Sequence, residues 1–322
     1  MPFAHLVGIF PRSETVVELT RAVERKRATA DELAAAIAED EQRVIAIQRD
    51  AGLDYIMDGQ FRWQDLLRPL SDGTPGMHPG GIVRWFDNNT FYRRPVITEM
   101  LRPTGQAVLS VLNVKALAGL KWKAVLPSPF ALARLSENAS GRSANQILDD
   151  ASAVIRAEAH ALAGAGCAYL QFSDPVLVTR AAPADVARAR AALEKVTNGL
   201  PVRTALHTFF GDAGPLLGEL LKFPVDEVGV DLYAGLVNGT IVGLRNAAAG
   251  KTLLVGAMDG RNSLVEDAGA LVDQARRVRD RLGPVEVALV PNCDLEFLPW
   301  DVATAKTQRL GEAAEVLRRE VT

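Results

Sequence analysis

The sequence is poor in cysteine, in net charge and in long apolar stretches, and each shortage excludes a class of protein. Two cysteines in 322 residues cannot form the disulfide framework of a small secreted domain. A net charge of −3 without a long basic run lacks the electrostatic footprint of a nucleic-acid-binding protein. The apolar stretches fall far short of the roughly 18 residues that span a bilayer, and the N-terminus lacks the basic region of a secretory signal. We therefore expect a soluble, cytoplasmic protein whose partners are neither nucleic acid nor membrane.

The chain has instead many apolar residues, arranged in short runs. A hydrophobic content of 48% is enough for one large core or for two domains of ordinary size. Eight runs rich in valine, leucine and alanine are mostly apolar on both faces, which is typical of buried parallel strands. These runs are residues 4–10, 53–59, 123–129, 168–175, 202–210, 227–233, 252–260 and 285–294.

Helical patterns lie between most of these runs. One of them begins after Thr29, a favourable N-cap, and ends at Gly52, a favourable C-terminal stop. Strands that alternate with helices predict βαβ units, and eight such units predict an α/β chain folded as a single (β/α)₈ barrel over residues 1–322. A doubly wound open sheet is the alternative, but no GxGxxG turn follows the first run.

Residues 60–122 interrupt this alternation after the second predicted strand. The segment is rich in glycine and proline and then becomes aromatic and basic, and it is too long for an ordinary loop. We interpret it as an insertion elaborated on the barrel. Its aromatic residues Trp85, Phe86, Phe91 and Tyr92 predict that it packs against the rest of the chain, and an unpacked excursion is the alternative.

Polar residues recur at the end of each predicted strand. The carboxyl ends of the strands in a parallel barrel meet at one face, where active sites lie, and we call this face the mouth. Polar groups in a packed interior would each need a partner, so a shared mouth explains their common position better. The residues are Arg12, Asp58, Gln60, Ser128, Gln171, Ser173, Asp174, His207, Asp212, Asp231, Asp259, Arg261, Asn292, Cys293 and Asp294.

Three of these residues have the chemistry of metal ligands. The imidazole of His207, the carboxylate of Asp231 and the thiol of Cys293 together suit Zn²⁺ and would leave its fourth position open. An open zinc site binds a thiol and lowers its pKa, which generates a nucleophilic thiolate. The alternative is that His207 is hydrogen-bonded to a neighbouring acid and Cys293 is merely buried, as Cys167 is expected to be.

Several strings of residues, in the same order along nearly the whole chain, resemble the cobalamin-independent methionine synthases. The Trp-Phe-Asp-x-Asn and Asp-Gly-Arg-Asn strings are the more specific ones. The similar strings are "GIFPR", "GQFRWQDLLRPLSDG", "VRWFDNNTFYRRP", "YLQFSDPVLV", "TFFGD", "VGVDLYAG", "MDGRN" and "VPNCDLEFLP". Long members of this family have two related barrels, of which the C-terminal one holds zinc and the N-terminal copy helps to bind folate. The chain resembles a free-standing barrel of the N-terminal type.

The resemblance implies a methyltransferase that moves a methyl group from a folate-like donor to a homocysteine-like thiol activated on zinc. The zinc histidine of the family falls on His207, and the cysteine that is paired with it falls on Phe209. The glutamate position holds Asp231, and the last cysteine falls on Cys293. A zinc site implied in this way has three protein ligands, not four.

Further roles follow from the same resemblance. The carboxylates of Asp174, Asp212 and Asp259 are candidates for holding the acceptor's amine or assisting proton transfer. Arg84 and Trp85 are candidates for contacts with a pterin ring and its glutamate tail, since planar heterocycles stack on aromatic faces; the alternative is that they fix the long loop. The other expected substrate-binding residues are Arg12, Asp58, Ser128, Gln171, Ser173, Arg261 and Asn292.

Two other functions stay open from the sequence. The chain is alternatively a non-catalytic barrel that binds folate or substrate beside a separate catalytic partner, which the phenylalanine at a ligand position favours. It is alternatively a barrel adapted to another thiol or to a C–S bond reaction, because fold does not fix function. A second barrel protein and a second copy of the chain are both possible partners, besides small-molecule substrates.

Overall fold

The structure is a computed structural model that describes residues 3–86, 91–235, 250–283 and 285–320. The Trp-Phe-Asp-x-Asn string continues into residues 87–90, which lie outside the described ranges. Within those ranges no helix is both long enough and apolar enough to cross a membrane.

A six-stranded parallel sheet forms the centre of an α/β fold. Its strands follow one another in chain order, each paired with the next, which distinguishes it from a doubly wound sheet whose order reverses. Every residue of four of these strands is buried, and in the other two only the first residue is not, as expected for strands covered on both faces. The strands are β3 (Lys123–Pro127), β5 (Tyr169–Ser173), β6 (Arg203–His207), β7 (Glu227–Asp231), β8 (Thr252–Met258) and β9 (Glu286–Pro291).

The first two predicted strands form single parallel bridges, not regular ladders. Ala4 is bridged to Leu289 of β9, and His5 is bridged to Tyr55. Ile56 is bridged in turn to Trp122, the residue before β3. Residues 4–5 and 55–56 thus lie between the two edges of the six-stranded sheet.

Ten α-helices are seen in the described residues. The predicted cap at Thr29 is confirmed, since its side chain accepts from the Glu32 amide while the Glu32 carboxylate accepts from the Thr29 amide. Gly52 follows the end of that helix with a φ of +67°, a conformation that favours glycine. The helices are α1 (Glu14–Glu24), α2 (Ala30–Asp50), α3 (Arg68–Gly73), α4 (Pro129–Leu135), α5 (Ala144–Gly164), α6 (Val176–Thr179), α7 (Pro183–Thr197), α8 (Leu217–Leu220), α9 (Ala268–Leu282) and α10 (Trp300–Arg319).

The segment 60–122 contains α3 and a small second sheet. The antiparallel strands β1 (Met77–Val83) and β2 (Tyr92–Ile97) form a hairpin, and β2 also pairs in parallel with β4 (Glu137–Asn138). Trp85, Tyr92 and Ile97 are buried in the main hydrophobic core, so the segment packs against the rest of the chain. The expected packing of its aromatic residues is therefore seen at Trp85 and Tyr92, whereas Phe91 is 65% exposed.

Candidate active site at the carboxyl ends of the strands

Asn292 connects three other residues that were predicted to share the mouth. Its side-chain amide donates to Oδ1 of Asp231 at 3.1 Å and to Oδ1 of Asp259 at 3.2 Å. Its backbone carbonyl oxygen lies 3.0 Å from Nε2 of His207. Asp231 and His207 end β7 and β6, while Asp259 and Asn292 directly follow β8 and β9. The consecutive order of these parallel strands is what brings the four residues together.

His207 is completely buried and its ring is neutral. Burial lowers the pKa of His207 to about 3. Because the carbonyl oxygen of Asn292 can only accept, Nε2 carries the ring hydrogen and donates it. The other ring nitrogen, Nδ1, is buried without a hydrogen-bond partner. The ring of Phe209 stacks on the His207 ring with centroids 5.6 Å apart.

The predicted zinc ligands do not form a metal-binding group. Among the described residues, no three side chains of histidine, cysteine, aspartate and glutamate are arranged to hold a metal ion. Cys293 is 1% exposed, and its thiol lies 3.5 Å from the carbonyl oxygen of Asp294. Burial raises the pKa of the Cys293 thiol well above its usual value. The expectation of a His207–Asp231–Cys293 zinc site therefore does not fit this arrangement.

Arg261 supplies the positive charge beside the mouth carboxylates. Its Nη2 lies 3.5 Å from Oδ2 of Asp231, and its Nε lies 3.7 Å from Oδ1 of Asp259. The guanidinium also lies over the ring of Phe210, 5.6 Å from its centroid. With 32% of its side chain exposed, Arg261 remains accessible to a ligand.

Ser128 and Asp174 form a second buried pair at the ends of β3 and β5. The Ser128 hydroxyl donates to Oδ2 of Asp174, while the other carboxylate oxygen accepts from the Leu177 amide. Burial raises the pKa of Asp174 to about 7. Ser128 also caps α4 through the Ala131 amide. Both side chains are fixed by local structure, which leaves little capacity for a substrate.

Gln171 is buried in β5, where it contacts Lys123 of β3, a lysine that the sequence pattern did not indicate. Its Oε1 accepts from Lys123 Nζ at 2.7 Å, and its amide donates to the Val7 carbonyl and to Oγ of Ser173. Lys123 also donates to the Leu6 carbonyl and contacts Nδ1 of His5. Gln171 therefore belongs to a buried polar network that reaches the carboxyl end of β5 at Ser173.

Arg12 and Asp58 are engaged with the backbone of the inserted segment. Arg12 donates to the carbonyl oxygens of Phe61 and Trp63. The carboxylate of Asp58 accepts from the amides of Gln60 and Asn113, each at 3.0 Å, and burial raises its pKa to about 6. Their contacts hold loops in place at the end of the second predicted strand.

The hairpin segment brings aromatic side chains to the loop after β6. Trp85 is 6% exposed and stacks on Tyr92 with centroids 5.0 Å apart, so one face of its ring is already covered. Phe86 contacts Phe210 with centroids 5.1 Å apart. Arg84 is exposed. The alternative role for Trp85, that of fixing the long loop, has the better structural support.

Two further carboxylates lie near the mouth: Asp294, which was among the strand-end residues but was given no role, and Glu296, which was missed. Asp294 packs on Gly8, where an added Cβ would lie 1.6 Å from its Oδ1. Burial and the neighbouring carboxylates raise the pKa of Glu296 to about 8. Asp212, which was predicted, instead lies beside Gly235 and accepts from the Gly214 amide. Asp294 is indicated in the sequence by its position after a predicted strand, whereas no sequence pattern indicates Glu296.

The sequence profile described as "Cobalamin-independent synthase, N-terminal domain" matches residues 67–283, which is two thirds of the chain. The chain belongs to this family. The resemblance inferred from the sequence strings is thereby confirmed.

Two curated relatives within the family differ in how much of them the chain covers. The chain is 24% identical to the methionine synthase of Sulfolobus acidocaldarius, over 98% of this chain and 92% of that protein. It is 31% identical to the 5-methyltetrahydropteroyltriglutamate–homocysteine methyltransferase of Mycobacterium tuberculosis, over 94% of this chain. It spans only 43% of that longer protein.

Solved structures share the fold of the chain. A B12-independent methionine synthase from Shewanella in complex with selenomethionine superposes with a TM-score of 0.80 over 100% of this chain and 99% of that one, at 18% identity. A structure from Listeria monocytogenes, described as a putative vitamin-B12-independent methionine synthase, gives a TM-score of 0.76 at 16% identity. These similarities establish the α/β fold with its parallel sheet.

Proposed function

We propose that this chain transfers a methyl group from a folate-type donor to a thiol acceptor similar to homocysteine. The observation that carries the proposal is the match over 92% of a relative named methionine synthase, which is of similar length to this chain. The name of the mycobacterial relative supports a methylated pteroyltriglutamate as donor and homocysteine as acceptor. The polar cluster around Asn292 offers a site for a small polar substrate at the carboxyl ends of the strands.

We further propose that the sheet closes into a (β/α)₈ barrel, with residues 60–122 as an elaboration of it. The single bridges from Leu289 to Ala4, from His5 to Tyr55 and from Ile56 to Trp122 support this closure, because they continue the parallel order from β9 back to β3. A closed barrel places the carboxyl ends of all strands around one mouth.

In the proposed reaction, the acceptor sulfur attacks the methyl carbon of the donor. An S–CH₃ bond forms while the N–CH₃ bond breaks, the thiol loses its proton, and the donor nitrogen gains one. A few per cent of a free thiol is already thiolate near neutral pH. A positioned carboxylate that accepts the thiol proton increases the reaction rate roughly 10²- to 10⁴-fold. We assign this carboxylate, or the contact with the acceptor's amine, to Asp259, whose neighbours Asn292 and Arg261 also border the mouth.

Zinc is not used in any step of this proposal, because the three implied ligands do not fit it. Arg261 is the proposed partner of a substrate carboxylate, since part of its side chain is exposed and its two ion pairs are longer than 3.4 Å. For the pterin of the donor, the half-buried rings of Phe86 and Phe210 are better placed than Trp85, whose ring is buried against Tyr92.

A methyl-transfer assay tests the proposal. The purified chain is incubated with 5-methyltetrahydropteroyltriglutamate and homocysteine, and methionine is measured by mass spectrometry. We expect turnover that falls roughly 10²-fold or more in Asp259→Asn. Asp72→Asn, at an exposed ion pair of α3, is the matched control and is expected to retain activity. Turnover that Asp259→Asn leaves unchanged would contradict the role of Asp259.

The accessory role is the second candidate, and one observation favours it. The matching profile describes the N-terminal domain of the family, and the chain spans less than half of its longer mycobacterial relative. An accessory barrel binds the methylated pteroyltriglutamate without turning it over. Donor binding measured by calorimetry, together with no methionine formation, would favour this candidate over methyl transfer.

A further inference from the structure

The orientation of His207 decides whether a metal can bind in the mouth. Nε2 points to the carbonyl oxygen of Asn292 at 3.0 Å and must carry the hydrogen of that bond. A nitrogen that carries a hydrogen has no lone pair to offer a metal ion. Any coordination by His207 would therefore have to use Nδ1.

Nδ1 of His207 is aimed at the backbone of Gly229. A Cβ added to Gly229 would lie 2.2 Å from Nδ1 and at nearly equal distances, 3.1 and 3.2 Å, from Cγ and Cε1 of the ring. Because these two distances are nearly equal and each about 1 Å longer than the distance to Nδ1, that position lies outward from the ring, along the lone pair of Nδ1. A zinc ion bonded to Nδ1 would lie about 2.0–2.1 Å from it and would therefore occupy the same position. That position is one carbon–carbon bond length, ~1.5 Å, from the Cα of Gly229. There is no room for the ion.

Asp231 has no free coordination site in this arrangement. Its Oδ1 accepts from the Tyr233 amide at 2.9 Å and from the Asn292 side chain at 3.1 Å. Its Oδ2 accepts from the Phe210 amide at 3.2 Å and lies 3.5 Å from Nη2 of Arg261. Each oxygen thus has two donors, which is the number of lone pairs it can offer.

Cys293 is held away from a shared metal position. Its thiol faces the carbonyl oxygen of Asp294, and the sulfur lies 3.0 Å from the position that a Cβ on Gly260 would take. The backbone of Gly260 lies close to the Cys293 sulfur, and Cys293 is only 1% exposed. No space for a metal ion is left beside the sulfur. Reaching a metal would require a new rotamer in a packed site.

The charge that a metal would bring is already present. The guanidinium of Arg261 lies between Asp231 and Asp259, and like charge would oppose a divalent cation in the same place. We infer that Arg261 supplies the positive charge that a metal ion would otherwise bring to this mouth, and that the chain binds no zinc there. His207 is then a packed histidine that fixes the position of Asn292. This inference does not depend on methyl transfer, since metal content and turnover are read separately.

Zinc binding by the full chain tests the inference. The protein is stripped with a chelator, and zinc is then titrated in competition with a chromogenic chelator while the melting temperature is followed. We expect substoichiometric zinc and an unchanged melting temperature, because a ligand that binds only the folded state would raise it.

Variants identify the position of any zinc that does bind. One tightly held zinc per chain that is lost in His207→Asn and in Cys293→Ser, but retained in Cys167→Ser, would overturn the inference. Cys167 is the matched control because it is also a buried free cysteine, and it lies before β5, away from the mouth. Zinc retained in His207→Asn lies elsewhere and agrees with the inference.

Discussion

Substitution of Gly229 by alanine is expected to destabilise the fold through a direct collision with His207. Gly229 lies in β7 and is the cross-strand partner of His207 in β6. The new Cβ would lie 2.2 Å from Nδ1, more than an ångström inside an ordinary van der Waals contact. Overpacking of this kind costs about 1–3 kcal/mol. We expect a value near 3 kcal/mol, because β7 is paired on both sides and Asn292 fixes the ring.

A double-mutant cycle separates this collision from other effects on β7. In His207→Ala the ring is absent, so Gly229→Ala should add little further cost, and the coupling energy should be on the order of 2–3 kcal/mol. Urea denaturation provides the free energy of unfolding of each variant. Gly81→Ala is the matched control, since that strand residue in β1 has open space around it and a change within about 0.5 kcal/mol is expected.

The opposite result would refute the orientation assigned to His207. If Gly229→Ala were as mild as Gly81→Ala, or equally costly with and without the His207 ring, the imidazole would not face Gly229. Nδ1 would then have space for a metal ion, and His207 could act as a zinc ligand.

Three further predictions concern the rest of the chain. Burial lowers the pKa of Lys123 from 10.5 to about 7. Between these pH values the unfolded state binds more protons than the folded state, so the free energy of unfolding rises with pH. Urea denaturation at several pH values should show a shallower rise in Lys123→Met, and an equal rise in both proteins would contradict this. Neither thiol should react with Ellman's reagent before unfolding, because Cys167 and Cys293 are 3% and 1% exposed and burial raises the pKa of each. Rapid reaction of one thiol per chain in the native protein would disprove this. Loss of the helix cap in Thr29→Ala should lower the stability of the fold by about 1 kcal/mol, whereas Thr29→Ser should lower it little. If thermal denaturation shows the same loss of stability in both variants, the capping box does not contribute as expected.

The regular part of the fold was predictable because it depends on local pattern. Six of the eight apolar runs form paired parallel strands, and the cap at Thr29 follows from its own sequence. The first two runs were harder, since only residues 4–5 and 55–56 pair with neighbours there. An apolar run indicates burial, but the length of its ladder depends on the strands beside it.

The candidate site was predictable only as a set of polar residues at strand ends. The contacts of His207 depend on the register of β6 against β7, which places Gly229 opposite it, and a single strand does not reveal its neighbour. Gly229 itself was an available signal, since an isolated glycine within a strand often marks close approach of another group. Lys123 gave little signal, because a lysine at the start of an apolar run is ordinarily exposed, whereas here it is 1% exposed.

The most direct test of methyl transfer follows a labelled methyl group from donor to acceptor. The purified chain alone, stripped of metal, is incubated with methyl-labelled 5-methyltetrahydropteroyltriglutamate and homocysteine, and the label on the thiol product is counted. Methyl transfer predicts labelled methionine that accumulates over many turnovers and needs no added zinc. Donor binding without any labelled methionine, whether or not zinc is supplied, would contradict the proposed reaction.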